Sequence, residues 1–163
     1  MNMFCFQCQE TARGTGCTVK GVCGKEPQTA AYMDLLLYAV RGIAIVNRTL
    51  REKGTAHNEI DHFVLDALFC TITNANFDDE AIIVRIKKAF EIKNILVGTA
   101  KKRNIALPDM PEVAYFVSEE NYLAEAAEVG VLSEPNEDLR SLKQMVIYGV
   151  KGAAAYTEHA LNL

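Results

Sequence analysis

Residues 33–40 read Met33-Asp34-Leu35-Leu36-Leu37-Tyr38-Ala39-Val40. Apolar side chains there fall nearly all round a helix rather than along one stripe, so the segment is expected to be a core helix buried on more than one side. Working outward, Pro27 suits a first helical turn, and Gly54 suits the position just past the last one. A helix from Pro27 to about Gly54 is therefore predicted as the central element of the fold.

The next apolar series is Ile60, Phe63, Val64, Ala67, Leu68 and Thr71, which has the spacing of one amphipathic helical face. A third helix is predicted from a cap at Asp78 or Asp79 through Ile82, Ile83, Ile86, Phe90 and Val97 toward Asn104. Three such helices with short links make an antiparallel bundle. Residues 105–117, with Pro108 and Pro111, read as a connector. A short helix opened by Ser118, with Glu119 and Glu120 at its positive end, is expected to stop at Gly130. Asn136, after Pro135, caps a last helix that runs to the C-terminus. No strand pattern of useful length is present. The predicted fold is all-α: residues 1–25 a Cys-rich loop, 26–130 a first helical bundle with its connector, and 131–163 the opening helix of a second, incomplete bundle.

The last assignment rests on an internal similarity. Leu35 to Ala44 aligns with Met145 to Ala154, sharing a Tyr-x-x-Arg/Lys-Gly core at Tyr38, Arg41 and Gly42 and again at Tyr148, Lys151 and Gly152. Only one helix of the second copy is present. Val146, Ile147, Val150 and Ala154 have few partners left in the sequence, so the chain is expected to be part of something longer or to pair through this helix as a homodimer.

Before the first helix, four of the five cysteines lie within 23 residues: Cys5, Cys8, Cys17 and Cys23, spaced C-x2-C-x8-C-x5-C. Gly14, Gly16, Gly21 and Gly24 are interleaved among them, as in a loop wrapped around something. Soft thiolates select zinc or iron–sulfur clusters. A zinc site usually pairs two short hooks, whereas only Cys5 and Cys8 form one here. The remaining spread suits the separate irons of a cluster, with glycine amides donating to the sulfides and Lys20 or Lys25 offsetting negative charge. Iron–sulfur, zinc and free thiols all stay open on spacing alone.

Other candidates have plainer readings. Cys70 falls beside an apolar face, as a small hydrophobe. His57 reads as a solvated or capping residue, His62 as a surface residue, and His159 as structural. Tyr38 and Tyr148 read as packing residues, and Lys101-Lys102-Arg103 as a solvated helix end. A net charge of −4 gives no electrostatic grip on nucleic acid. The N-terminus lacks the charged start and apolar stretch of a secretory signal, and Arg41 and Arg48 interrupt the longest apolar run. The cytoplasm is the expected address, with no membrane span.

The residues Met3 to Thr11, Gly14 to Cys17 and Gly21 to Lys25 closely resemble the amino terminus of the hybrid cluster proteins. These are the prismane proteins or hydroxylamine reductases, distant relatives of the nickel carbon monoxide dehydrogenases. The similarity continues through Asp34 to Tyr38 and Arg41-Gly42, and returns from Leu142-Lys143 through Ile147-Tyr148-Gly149 and Lys151-Gly152 to His159. The resemblance implies that Cys5, Cys8, Cys17 and Cys23 hold a 4Fe–4S cluster, with zinc or an empty loop after aerobic handling as the alternatives. It implies a redox partner, ferredoxin-like or a flavin reductase, and a parent protein that reduces hydroxylamine or nitric oxide in defence against nitrosative stress. The family's hybrid cluster takes one histidine, two glutamates and several cysteines from later domains. This chain alone is therefore expected to pass electrons rather than catalyse, or, on the alternative reading, to be a zinc-pinned helical interaction module.

Overall fold

The computed structural model describes residues 2–55, 57–72, 76–115 and 121–161. Six α-helices follow the cysteine-rich loop: α1 (Pro27–Glu52), α2 (Asn58–Cys70), α3 (Asp79–Lys102), the single turn α4 (Pro111–Ala114), α5 (Tyr122–Val129) and α6 (Glu137–Leu161). The all-α expectation is borne out. Among the described residues the only β-type pairing is an isolated antiparallel bridge between Cys5 and Cys17.

Helix α1 is the hub. It packs chiefly on α3 and α5, and also on α2 and α4, whereas α2 and α3 touch each other little. Leu35, Leu36, Ala39, Ile43, Val46 and Leu50 of α1 are fully buried against Ile82, Ile86, Ala89 and Leu96 of α3 and Ala67 of α2. By length and a mean hydropathy of 1.5, α1 is the one helix among the described residues apolar enough to cross a membrane. The arginines do not interrupt it as the sequence suggested. Its apolar surface is instead matched by surrounding helices, which bury 72% of that window.

The termini follow local chemistry. Pro27 starts α1, and Gly54 turns the chain away from it at φ 77°. Asp78 caps α3 by accepting from the Ala81 amide at 3.1 Å, and Asn136 accepts from the Leu139 amide at 3.0 Å to start α6. The fifth helix is capped by Asn121, which accepts from the Ala124 amide at 3.2 Å. The predicted start at Ser118, with Glu119 and Glu120, lies outside the described residues. The expected connector holds α4, and Gly42 explains how. A Cβ on Gly42 would stand 2.2 Å from the Glu112 carbonyl oxygen, so only glycine lets α4 lie directly on α1. Lys93 of α3, fully buried, donates to the carbonyls of Glu112 and Tyr115 and ties α4 from the other side.

The two halves of the internal similarity occupy unlike environments. Tyr38 is buried edge-on to Tyr115, with the Arg41 guanidinium over its ring at 5.0 Å, whereas Tyr148 is exposed. Arg41 lies at the surface and Lys151 is fully buried. Gly42 is under α4, while nothing stands within 4 Å of a Cβ on Gly152. The last helix is also less isolated than its sequence suggested, because α6 packs along α2. Its amphipathicity is inverted: Gln144, Lys151 and Ala154 face inward, while Leu139, Leu142, Met145, Val146, Val150 and Tyr156 are exposed.

Candidate metal centre

The loop is organised by the Cys5–Cys17 bridge. The Cys5 amide donates to the Cys17 carbonyl at 3.1 Å and the Cys17 amide returns to Cys5 at 3.0 Å. Thr11 Oγ1 donates to the Cys5 carbonyl at 3.0 Å, and the Thr11 amide donates to the Cys8 carbonyl at 3.2 Å, closing the turn that contains Cys8. Met3, Cys17 and Ala30 form a small core of their own, joined by Cys5 and Ala12, that seats the loop on the start of α1. Gly16 has φ 126°, and a Cβ there would sit 2.6 Å from Phe4 Cε2. Glycine is required at this point for both its backbone angle and its lack of a side chain. Buried Phe4 is covered on another side by the Arg140 guanidinium of α6, 4.7 Å from the ring centroid.

All five thiols are unbridged. Cys17 is buried, and Cys5, Cys8 and Cys23 are half-buried. Burial pushes the Cys17 thiol up, but the amides of Val22 and Ala12, the Thr11 hydroxyl and the charge on Lys25 outweigh it, holding the thiol below its usual range. The Ala12 amide reaches Cys17 Sγ at 3.5 Å. At Cys5 burial wins and the thiol is pushed up, against the pull of Lys25, the Gln7 amide and Lys151. Among the described residues, the amides aimed at the sulfurs of Cys5 and Cys17 belong to Gln7, Ala12 and Val22 rather than to glycines. Among the described residues no three Cys, His, Asp or Glu side chains converge on a single-ion site.

Of the two lysines expected to offset charge, Lys20 is exposed and paired with Glu26, whereas Lys25 is buried. Sequence reasoning missed a second buried cation, Lys151. Its Nζ donates to Gln7 Oε1 at 3.0 Å and to the Thr71 carbonyl at 2.8 Å, and Gln7 Nε2 donates onward to Gln144 Oε1 at 3.0 Å. This chain of buried bonds joins the loop, the end of α2 and α6. The available signals were the lysine aligned with Arg41 and the glutamine lying inside the Cys5–Cys8 hook. Burial pushes Lys151 down to about 7, with Lys25 adding to the effect and Asp34, Cys5 and Cys70 opposing it. Asp34 accepts from the Val131 amide at 3.0 Å and is pushed up by burial to about 6.

The remaining candidates have structural roles. Cys70 is buried, accepts from Asn76 Nδ2 at 3.3 Å and has its thiol raised by burial. His57 stands just before α2 without capping it, 3.4 Å from Glu59. His62 is exposed, as are Lys101, Lys102 and Arg103 at the end of α3. His159 is exposed, edge-on to Phe69 with ring centroids 5.7 Å apart.

The sequence is 56% identical over 163 residues to a hydroxylamine reductase of Bacteroides thetaiotaomicron and 52% identical over 164 residues to one of Bacteroides fragilis. It is 46% identical over 166 residues to a hydroxylamine reductase of Desulfitobacterium hafniense. Each alignment covers 100% of this chain, which spans only about 29–30% of the length of those relatives. The family model described as Prismane/CO dehydrogenase matches residues 3–163, and the chain belongs to that family.

Proposed function

We propose that this chain is the iron–sulfur electron-transfer portion of a hydroxylamine reductase-type oxidoreductase, with Cys5, Cys8, Cys17 and Cys23 holding a 4Fe–4S cluster. The observation that carries this reading is the pair of buried lysines, Lys25 and Lys151, set beside a loop with four thiols. Burying one ammonium costs several kcal/mol after relaxation, and burying two together costs more unless an anion shares the site. Four thiolates around a cluster are such an anion, and the amides aimed at Cys5 and Cys17 favour the deprotonated sulfurs it requires.

When bound, a cluster of this kind supplies reversible one-electron storage. The protein's own part is to hold the thiolates, to direct the Ala12, Val22 and Gln7 amides toward sulfur, and to limit water through the Met3, Phe4 and Ala30 packing. Nothing here asks an acid or base of the chain to move a proton on a substrate. In the parent, by analogy with the named relatives, hydroxylamine is reduced to ammonia or nitric oxide to nitrous oxide in a cytoplasmic defence against nitrosative stress. The electron donor is a ferredoxin-like or flavin-containing reductase. The outward apolar face of α6 is the surface against which the remaining domains of the parent pack.

Anaerobic purification with iron, sulfide and zinc analysis tests the assignment. About four iron and four sulfide per chain support it, and about one zinc with no visible colour gives the pinned structural module instead. Cys8→Ser is expected to bleach the visible absorbance while helix content stays the same. Unchanged iron and sulfide in that variant would refute the ligand set.

A further inference from the structure

Lys151 places a charge on the inward face of α6. The helix has Leu139, Leu142, Met145, Val146 and Val150 available for burial, yet its register turns these outward and presents Gln144 and Lys151 to the interior. Position 151 follows 144 by two turns and precedes Ala154 by three residues, so one inward stripe carries an amide, an ammonium and a methyl group. Replacing a buried charge by an apolar side chain of similar volume is commonly neutral or stabilising, so a fully buried lysine calls for a reason beyond stability.

The bonds made by Lys151 do not supply that reason. Both acceptors, Gln7 Oε1 and the Thr71 carbonyl, are neutral. Lys25 adds charge of the same sign, and Asp34, the acid that acts most on Lys151, already accepts from the Val131 amide. Cys5 and Cys70 are the other groups whose negative charge would favour the ammonium, and Cys5 belongs to the proposed ligand set. Gln7, two residues from Cys5 and one from Cys8, is the side chain through which Lys151 grips the loop, and Gln144 holds the other end of the same amide.

We propose that Lys151 is a positioning residue for the cluster: through Gln7 it latches the cysteine-rich loop to α6, and its ammonium, held charged by the anionic cluster beside it, raises the reduction potential of that cluster. The inference rests on the cluster assignment proposed above. Reduction adds one electron, from dithionite in a titration, to the cluster, and no bond forms or breaks in that step. A buried cation stabilises the more negative reduced form, so removing it shifts the equilibrium toward the oxidised one.

The test is a potentiometric titration of the full chain, purified and loaded anaerobically, as wild type, Lys151→Met, Lys151→Gln, Lys151→Arg and Gln144→Leu. Lys151→Met is expected to keep about four iron and four sulfide per chain. At a fixed applied potential its reduced-to-oxidised ratio falls about tenfold, equivalent to about 59 mV for one electron. Lys151→Arg restores the ratio, and Gln144→Leu, which leaves the charge in place, changes it much less. An unmoved potential in a fully loaded Lys151→Met protein overturns the assignment while leaving the cluster reading intact. A wild-type chain that takes up zinc or no iron overturns the cluster reading and this inference with it. Should both neutral variants lose the cluster, retention in Lys151→Arg supports the charged latch, and loss in all three overturns it.

Discussion

Adding one methyl group at Gly42 tests how the hub helix is built, and Gly152 supplies the internal control. A Cβ at Gly42 would lie 2.2 Å from the Glu112 carbonyl oxygen and 2.9 Å from Lys93 Cδ. An ordinary contact begins near 3.4 Å, so α4 must retreat by about 1.2 Å. Lys93 Nζ sits 3.0 Å from that same oxygen, and the retreat stretches the bond past useful length. Overpacking costs about 1–3 kcal/mol, and losing a hydrogen bond from a charged donor costs about 1.5–3 kcal/mol. The better helix propensity of alanine returns at most ~1 kcal/mol. Gly42→Ala should therefore destabilise by about 3 kcal/mol, lowering the melting temperature by about 6–12 °C in a chain of this size. Gly152→Ala, with nothing within 4 Å of its Cβ, should be neutral or raise the melting temperature by a few degrees. Thermal melts followed by circular dichroism, with urea midpoints as a cross-check, measure both. A Gly42→Ala protein within ~0.5 kcal/mol of wild type would refute the seating of α4 on α1, given that surface substitutions routinely fall in that range. Equal losses in the two variants would refute the inequivalence of the two Tyr-x-x-Arg/Lys-Gly segments.

Three further outcomes are expected. Gly16→Ala, which drives a Cβ into Phe4 from a backbone angle of 126°, should lower iron taken up per chain without changing helix content, measured by iron assay and circular dichroism on one sample. Burial pushes Lys93 down to about 8, from an ordinary value of 10.5, so between those pH values the unfolded state carries a proton that the folded state does not. Its penalty is full below about pH 8 and fades as pH rises toward 10.5, contributing a rise in stability of up to ~1.4 kcal/mol per pH unit. That contribution should vanish from the urea midpoints of Lys93→Met, and an identical pH slope in the two proteins would contradict it. Val146→Glu, at a side chain 68% exposed on α6, should leave the chain's own melting temperature unchanged while destabilising a protein in which the further domains proposed above are joined to it, and an undisturbed longer protein would show that nothing covers this face.

Much of the helical frame is legible from local chemistry. Pro27 and Gly54 bracket α1, Asp78 and Asn136 cap their helices, and the apolar series from Ile60 and from Ile82 mark α2 and α3. These signals act within one or two turns, so a sequence carries them openly. The four-residue helix α4 has no local signal, because its position depends on Gly42 and Lys93, 70 and 19 residues before Glu112. The candidate site divides the same way. The cysteines and Lys25 could be read from spacing, while Lys20 looked equivalent to Lys25 and differs only because its side chain points to Glu26 in solvent. Lys151 was invisible as a site residue because periodicity places apolar side chains of α6 inside, and the helix is packed the other way round.

That inversion ties the two ends of the chain into one unit. Gln7 and Lys151 are 144 residues apart, and Gln7 and Gln144 are 137 apart, so both bonds form only when α6 is in place against the end of α2. Without α6, Gln7 loses both of its buried side-chain partners, and Arg140 no longer covers Phe4. Without the loop, Lys151 keeps only the Thr71 carbonyl. Leaving such groups buried and unsatisfied costs about 1–3 kcal/mol each, and more for the ammonium, so loop and helix stabilise each other cooperatively. The cysteines nearest the start of the sequence are thus held by residues near its end. Meanwhile the apolar side of α6 stays outward, where it can be buried by a partner without disturbing the polar stripe that grips the loop.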